Sequence, residues 1–260
     1  MKVKLGTSEV LSVIIITAAI MVISIVALYY TSSMLYTSTS SGEYINAQNG
    51  FIYLAEAIEG KASIEGVAGN VIVPTGQGYV SFRKTHFYVA LNSSLSGISD
   101  IIDYDVCEII YYSGESGGSD IYGRALDPQT ITYLKGDEHL IVNTTITRIS
   151  LGYDDNVDKW YIKLDTGRVL VVKYGSDGVH NYYTIYIILI KDVNISGVAS
   201  STRISFKIDH VSKYNILTSS DEECTLLVNY NGKSETMTFS GNSSITIVVS
   251  EMIVNIGVGA

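Results

Sequence analysis

An uninterrupted apolar run near the N-terminus constrains this chain more than any other feature. Residues Val10 to Tyr30 read VLSVIIITAAIMVISIVALYY, and no charged residue occurs between Glu9 and Glu43. As a helix rising about 1.5 Å per residue, the run spans about 30 Å, the thickness of a bilayer core. Because Lys2 and Lys4 precede it, the positive-inside rule predicts a cytoplasmic N-terminus and an external remainder. The run therefore predicts a membrane-inserted helix.

Three interpretations of this segment are open. A cleaved secretory signal peptide is disfavoured, because the run is too long for an ordinary h-region and merges into Thr and Ser without an A-x-A-type site. A plain membrane anchor fits its length and composition. The third interpretation depends on the residues that come before the run.

The short basic leader MKVKLG ends at Gly6, and Thr7, Ser8 and Glu9 then lead directly into the apolar helix. This arrangement resembles the class III signal peptide of type IV pilins. The very short leader, combined with an all-β domain, most resembles the archaeal branch of that superfamily, which includes pilins, archaellins and surface anchors. The resemblance implies that a prepilin peptidase cuts between Gly6 and Thr7 and leaves the helix in place.

The same resemblance implies that the helix is the assembly element of a homopolymeric filament, built from the membrane by an assembly platform. Bacterial pilins have glutamate at the fifth mature residue, whereas Glu9 is the third after cleavage at Gly6. Pairing of Glu9 with a neighbour's terminal ammonium therefore competes with a simpler role as a favourable charge at the helix N-terminus. The residues expected to carry assembly are Glu9, Ile14, Ile16, Ile20, Ile23 and Val26.

Three regions follow from these patterns: a leader at 1–6, a helix at 7–60 and a β domain at 61–260. The Ser/Thr-rich stretch from Thr31 to Gly42 is poor in helix-favouring residues, so it predicts either a weak helix or an unwound segment. The segment from Glu43 to Gly60 regains a helical period, which predicts a face packed on the distal domain. That face contains Ile45, Phe51, Leu54, Ala55 and Ile58.

Short apolar segments separated by Gly, Asp and Asn follow from Asn70 onward, and they predict an all-β domain. The predicted strands are Tyr79–Leu91, Ile101–Tyr112, Leu140–Ile149, Trp160–Leu164, Arg168–Tyr174, Tyr182–Lys191, Thr202–Ile208, Thr225–Tyr230, Ser234–Phe239 and Ser244–Val254. Turn residues at Asp165-Thr166-Gly167 and Asn231-Gly232 favour hairpins between neighbours. The predicted fold class is thus α+β: a long apolar helix followed by a β-sandwich of the immunoglobulin-like kind.

Cys107 and Cys224 are the two cysteines of the chain. Their separation excludes a zinc site built on close cysteine pairs. In an extracellular domain they predict either one disulfide that closes a long loop or two small buried side chains.

The N-x-S/T acceptor pattern occurs at Asn92, Asn143, Asn194 and Asn242, each near a predicted strand end. Outside the cell these positions are candidate glycosylation sites, although a Ser/Thr-rich chain also produces such matches by chance.

Composition and motifs argue against nucleic acids, cofactors and catalysis. The net charge is −9 and no Lys/Arg cluster exists to bind phosphates. Asp165-Thr166-Gly167 matches the aspartic-protease triplet but has no second copy in the sequence. The acidic turn Asp154–Lys159 resembles half of a calcium loop, yet Lys159 stands where such a loop needs glycine. We therefore predict a non-enzymatic protein without a cofactor or metal.

The combined expectation is a structural subunit of an archaeal type IV pilus-like filament, used for adhesion or surface contact. Its partners are copies of itself, a prepilin peptidase and the membrane platform, and it resides in the cytoplasmic membrane before assembly. The alternatives are a permanently anchored β-sandwich surface or accessory protein and an archaellin.

Overall fold

A computed structural model of the chain describes residues 6–93, 97–114, 118–121, 123–197, 201–218, 223–239 and 241–258. It consists of one long N-terminal helix followed by an all-β head of two sheets, which confirms the predicted α+β class. The helix, α1, runs from Gly6 to Lys61 and contains 56 residues. At about 1.5 Å per residue it is about 84 Å long.

The Ser/Thr-rich stretch is part of this helix, so the unwound alternative does not hold. Three threonines of the stretch donate their hydroxyl hydrogen to the carbonyl four residues earlier: Thr31 to Ala27 at 2.8 Å, Thr37 to Ser33 at 3.0 Å and Thr39 to Leu35 at 2.8 Å. Each of these hydroxyl groups is therefore hydrogen-bonded within the helix. It does not draw a backbone group of the helix into a non-helical conformation.

Thirteen strands lie in the described part of the head. They are β1 (Ala68–Pro74), β2 (Tyr79–Ser93), β3 (Gly97–Tyr112), β4 (Thr132–Lys135), β5 (Ile141–Val142), β6 (Arg148–Asp154), β7 (Lys159–Asp165), β8 (Val169–Ser176), β9 (Asn181–Ser196), β10 (Ser201–Leu217), β11 (Cys224–Tyr230), β12 (Lys233–Phe239) and β13 (Ser243–Val258). The turn between β11 and β12 has positive φ at Asn231 and Gly232, as a two-residue hairpin requires.

The strands form two sheets. A six-stranded sheet has the order β1-β10-β13-β9-β8-β5, and a seven-stranded sheet has the order β12-β11-β2-β3-β7-β6-β4. The C-terminal strand β13 lies between β10 and β9, antiparallel to the first and parallel to the second. In its described strands the sandwich is larger than an immunoglobulin domain, which has about seven to nine strands.

Two apolar cores lie on opposite faces of β9. Ile187 and Leu189 belong to the sandwich core between the two sheets, together with residues such as Phe87 and Val228. Ile188 and Ile190 point to the other face and belong to the helix-facing core, which includes Phe51 of α1. Because β9 is covered on both faces, its apolar run is continuous rather than alternating, and its prediction as a central strand is confirmed.

The helix-facing core holds the C-terminal half of α1 between the two sheets. Helix residues at spacings of three and four are buried there: Tyr44, Ala47, Phe51, Leu54, Ala55, Ile58 and Ala62. They pack with Ile149 and Ile162 of the seven-stranded sheet and with Phe206 and Val254 of the six-stranded sheet. The predicted apolar face is therefore correct except that Ile45 is only half-buried.

The predicted strand Leu140–Ile149 is two strands in different sheets. β5 pairs with β8 in the six-stranded sheet, whereas β6 pairs with β7 in the seven-stranded sheet. The chain crosses between the sheets at Thr145 and Thr147, whose hydroxyl groups bond to Glu59 of the helix. This crossing depends on the helix, which lies far away in sequence. Two strands, β1 and β4, were not predicted.

The Asp165-Thr166-Gly167 triplet is likewise a corner between sheets and not the predicted hairpin turn. β7 belongs to the seven-stranded sheet and β8 to the six-stranded sheet. Gly167 is required there, because a Cβ atom at this position would lie 2.3 Å from the Tyr230 ring. The buried carboxylate of Asp165 accepts a hydrogen bond of 3.0 Å from Nε of Arg148.

Cys107 and Cys224 form no disulfide, so the bridge is excluded and the alternative of two buried side chains holds. Cys107 lies in β3 and Cys224 in β11, and these two strands flank β2. Cys107 is opposite Lys84 of β2, and Cys224 is opposite Ser93 of β2. Nine positions along one strand correspond to about 30 Å, whereas a disulfide requires Cα atoms about 4.4–6.8 Å apart. Burial raises the pKa of the Cys107 thiol, which makes it a weaker nucleophile.

We predict that alkylation of the native protein leaves both cysteines unmodified and that denaturation without reductant exposes two reactive thiols. Buried thiols are inaccessible to the reagent, and no disulfide exists to be reduced. Intact-mass measurement before and after unfolding reads the number of added groups. A denatured protein that gains no label until it is reduced would contradict this arrangement.

Candidate assembly surface

The exposed half of α1 is the most unusual surface of the molecule. Every residue from Ser12 to Thr39 is exposed, and burial begins at Ser40. The predicted assembly residues with described side chains, Ile14, Ile16, Ile20, Ile23 and Val26, are 58 to 67% exposed. Isolated exposed apolar residues are ordinary, but a continuous apolar surface of this extent marks an interaction site.

Threonines in the exposed half satisfy their hydroxyl donors within the helix. Thr17 donates to the carbonyl of Val13 at 2.8 Å, and Thr31 and Thr39 make the same bond one turn back. Because the backbone of a helix is also hydrogen-bonded internally, the backbone and these threonines enter lipid or a protein core without leaving their donors unpaired. The apolar 12–30 part of α1 is therefore chemically suited to an apolar environment on all its sides.

The helix is also long enough to cross a membrane, judged by length and composition alone. Its most apolar 18-residue window has a mean hydropathy of 2.6, and none of that window is buried in the head. Tyr29 and Tyr30 stand at the end of the apolar run and are exposed. Tyrosine is favoured where the hydrocarbon meets the polar interface.

A carboxylate fastens α1 to the head near the point where burial begins. Glu43 accepts hydrogen bonds from the backbone N–H groups of Gln77 and Gly78 and from the hydroxyl group of Tyr111, at 3.0 to 3.1 Å. Burial raises the pKa of Tyr111 and the nearby Glu43 carboxylate raises it further, so the phenol keeps its proton and remains a donor.

A second carboxylate fastens α1 to the head near the helix C-terminus. Glu59 accepts from both the hydroxyl and the backbone N–H of Thr147, at 2.6 and 2.9 Å, and from the hydroxyl of Thr145 at 2.6 Å. Lys135 completes the site at 2.8 Å. Burial by itself raises the pKa of Glu59, but these bonds outweigh burial and hold the pKa below its ordinary value.

Close backbone packing accompanies these polar contacts. A Cβ atom at Gly50 would lie 3.3 Å from Val73 and 3.5 Å from Val71, so the absence of a side chain lets α1 approach β1 closely. With Glu43 and Glu59 about 24 Å apart along the helix, the docked half is held at both ends. Neither carboxylate was predicted from the sequence. The docked half contains three acids, Glu43, Glu56 and Glu59, and the sequence contains no signal that separates the two fastening residues from the exposed Glu56.

The predicted processing site lies at the start of the helix. Gly6, Thr7 and Glu9 fall within the first turns of α1, for which only the backbone is described. The leader residues 1–5 are outside the described residues, so the cleavage of this leader and the role of Glu9 stay predictions.

The four candidate glycosylation sites lie at the surface of the head. Asn92, Asn143 and Asn194 are exposed, and Asn242 is half-buried with a φ of 57°. Asn194 donates from its side-chain amide to the Asn255 side chain at 3.0 Å. Attachment of a sugar at these positions stays a prediction.

The aspartates of the motifs weighed for chemistry bond to neighbouring residues of the head. Asp165 is paired with Arg148 at 3.0 Å and lies 3.9 Å from Lys163, which also binds the buried Glu108 at 3.1 Å. Two cations therefore lie beside these carboxylates. Asp154 accepts from the Tyr112 hydroxyl and from the backbone of Asn156 within the β6–β7 turn. Among the described residues no group of three or more His, Cys, Asp and Glu side chains is placed to hold a metal ion.

No protein-family model matches the chain, and the comparisons with curated proteins and with solved structures give no match either.

We predict that Glu59→Gln lowers the free energy of unfolding by about 1–3 kcal/mol, because the amide cannot satisfy the same set of donors. Chemical denaturation of the detergent-solubilised chain measures this value, with the single tryptophan, Trp160 of the helix-facing core, as the fluorescent reporter. The difference in unfolding free energy between wild type and Glu59→Gln should be full above pH 4.5, the ordinary pKa of a glutamate. It should decline as the pH falls through the lowered pKa of Glu59.

Glu56→Gln is the matched control. Glu56 lies on the exposed side of the same helix, one turn before Glu59, so its loss should leave stability almost unchanged. Equal effects of the two substitutions would contradict the fastening role of Glu59.

Proposed function

We propose that this chain is a structural subunit of an extracellular filament of the archaeal type IV pilus-like kind, serving adhesion or surface contact. The observation that carries the proposal is the exposed 12–39 half of α1, whose 12–30 part is an apolar run, joined without a break to a folded head. A surface of this size, apolar on every side, requires an apolar partner that surrounds it.

Copies of the same helix supply such a partner. Before assembly the bilayer covers the apolar surface, with the head outside the membrane and the basic residues Lys2 and Lys4 on the cytoplasmic side. Removal of the leader after Gly6 by a prepilin peptidase deletes both charges. Helices extracted by a membrane assembly platform then bury their apolar surfaces against one another and form the filament core.

The fastening of α1 supports this function. A filament transmits force through the joint between its helical core and its heads. In this chain that joint combines an apolar helix face with the carboxylates Glu43 and Glu59 at its two ends. A helix that served only to tether a domain needs no such docking, because a flexible linker would suffice.

A permanent membrane anchor is the second candidate, because the length and hydropathy of α1 meet the requirements for one membrane-spanning helix. An archaellin has the same architecture as a pilin and differs in use. N-terminal sequencing of the mature protein separates peptidase processing from simple anchoring: a start at Thr7 supports the filament subunit, and a start at Met1 supports the anchor. Loss of motility on deletion, with other filaments intact, would identify an archaellin.

We predict that Ile20→Asp abolishes filament formation while the head remains folded. A charged residue at the centre of an apolar environment costs about 2.5–3.5 kcal/mol, and the cost recurs at every subunit of a filament. Shearing the cells and imaging the released material by electron microscopy measures assembly, and immunoblotting of the membrane fraction verifies that the variant is produced.

Asn46→Asp is the matched control, since it adds the same charge to the same helix at an exposed position beside the head. It should assemble normally. Filaments of normal appearance and quantity from Ile20→Asp would reject the helix as the filament core, and no filament containing the wild-type chain would reject the proposed function.

A further inference from the structure

The six-stranded sheet has one open half-edge on each side. β1 covers β10 from Ser201 to Lys207 only, so Val211–Leu217 has a described strand partner on one side, β13. On the opposite side, β5 covers β8 at Val169 and Leu170 only, which leaves Val172–Ser176 with β9 alone. Exposed strand edges present unpaired N–H and C=O groups and are templates for pairing with another chain.

The two half-edges lie at the same level of the sheet. Leu217 of β10 is opposite Ser244 of β13, which is opposite Tyr182 of β9, which is opposite Gly175 of β8. At this level the described sheet is therefore four strands wide, from β10 through β13 and β9 to β8, and it is open at both margins.

The strand directions suit a neighbour in the same orientation. β10 and β8 are each antiparallel to the parallel pair of β13 and β9, so β10 and β8 run in the same direction. A second copy placed beside the first, without inversion, therefore brings its β8 edge to the β10 edge as a parallel pair. Such a contact is heterologous, and each copy both offers and accepts an edge, as a polar assembly of indefinite length requires.

Exposed apolar side chains accompany both half-edges. Leu217 and Tyr214 of β10 are 76% and 50% exposed, and Tyr174 of β8 is 63% exposed. Val179 of the following turn and Tyr182 near the start of β9 are exposed as well. Leu217 and Tyr174 lie on the face away from the sandwich core, whereas Tyr214 is opposite the core residue Ile247 and lies on the other face. Pairing of the two edges would bring Leu217 and Tyr174 together and remove apolar surface from water, which backbone pairing alone does not do.

The lysines of the two half-edges do not oppose this contact. Lys173 of β8 lies over the ring of Tyr183, on the face of the sandwich core, with its ammonium nitrogen 5.8 Å from the ring centre. Lys213 of β10 is opposite Val248, on the other face from the core residue Ile247. In a joined sheet the two charges would therefore lie on different faces, where side chains of neighbouring strands do not meet.

We propose that the Val211–Leu217 edge of one copy pairs with the Val172–Ser176 edge of a second copy, so that the six-stranded sheets of neighbouring heads join. This inference rests on the proposed filament and adds to it a contact between heads. The helices would hold the filament together along its core, and the joined sheets would fix each head against its neighbour.

Disulfide trapping in assembled filaments tests the contact. Tyr174→Cys and Asn215→Cys in one chain place thiols on the face away from the sandwich core, at the two half-edges. Within one chain these thiols are separated by three strand spacings, about 14 Å, which excludes an internal bridge. Mild oxidation of sheared filaments should convert most of the double variant into a ladder of covalent dimers, trimers and longer species on a denaturing gel. Val172→Cys with Asn215→Cys tests the neighbouring register.

Two controls use the same strands. Lys173→Cys with Asn215→Cys places the thiols on opposite faces, and Tyr174→Cys with Ser205→Cys moves one thiol to a part of β10 that β1 covers. Both should give monomers. A covalent dimer from Asn215→Cys alone would show an inverted β10–β10 contact and overturn the proposal.

The result also separates the two proposals from each other. Filaments of normal yield in which neither register forms a ladder would reject the joined sheets and leave the filament function intact. Failure of the wild-type chain to form any filament would reject both.

Discussion

The structure depends on one constraint: the apolar surface of the 12–30 segment is too large to be left in water, and the described part of the head does not cover it. Nothing in the described head approaches this half of α1. At about 25 cal/mol for each Å² of apolar surface removed from water, burial of such a helix is a strong driving force for association. Lipid and copies of the same helix both satisfy this requirement, and a filament subunit uses them in succession.

The other half of the same helix, residues 40–61, is packed into the head. Its buried residues recur at helical spacing and fill the space between two sheets. A carboxylate at each end of this docked half, Glu43 and Glu59, bonds to loops and strands of the head. The helix is continuous and has no hinge among its described residues. The orientation of the exposed segment is therefore fixed relative to the head.

The two sheets contribute to both apolar cores of the head. Around α1, both sheets contribute side chains to the helix-facing core. Farther along the strands, the two sheets pack against each other across the sandwich core. β9 passes through both regions, which explains why it is apolar on both faces. In the sandwich region the six-stranded sheet loses its flanking strands β1 and β5, and its margins become open. Among the described residues the molecule thus has an exposed apolar surface on the helix and strand edges without a described strand partner on the head.

Local sequence patterns determined much of this fold. The apolar run requires a helix with an apolar partner, and alternating or continuous apolar segments identified strands such as β7, β8, β9 and β13. The positive φ values at Asn231 and Gly232 follow from residue type alone. These features depend on periodicity and turn chemistry within about ten residues, which is the range that a sequence pattern can report.

Only the tertiary structure decided the features that depend on distant partners. The chain leaves β5 for the other sheet because Thr145 and Thr147 reach Glu59. Cys107 and Cys224 stay apart because β2 separates them by most of its length. In each case the deciding contact joins residues that the sequence order does not bring together, so no local pattern could contain it.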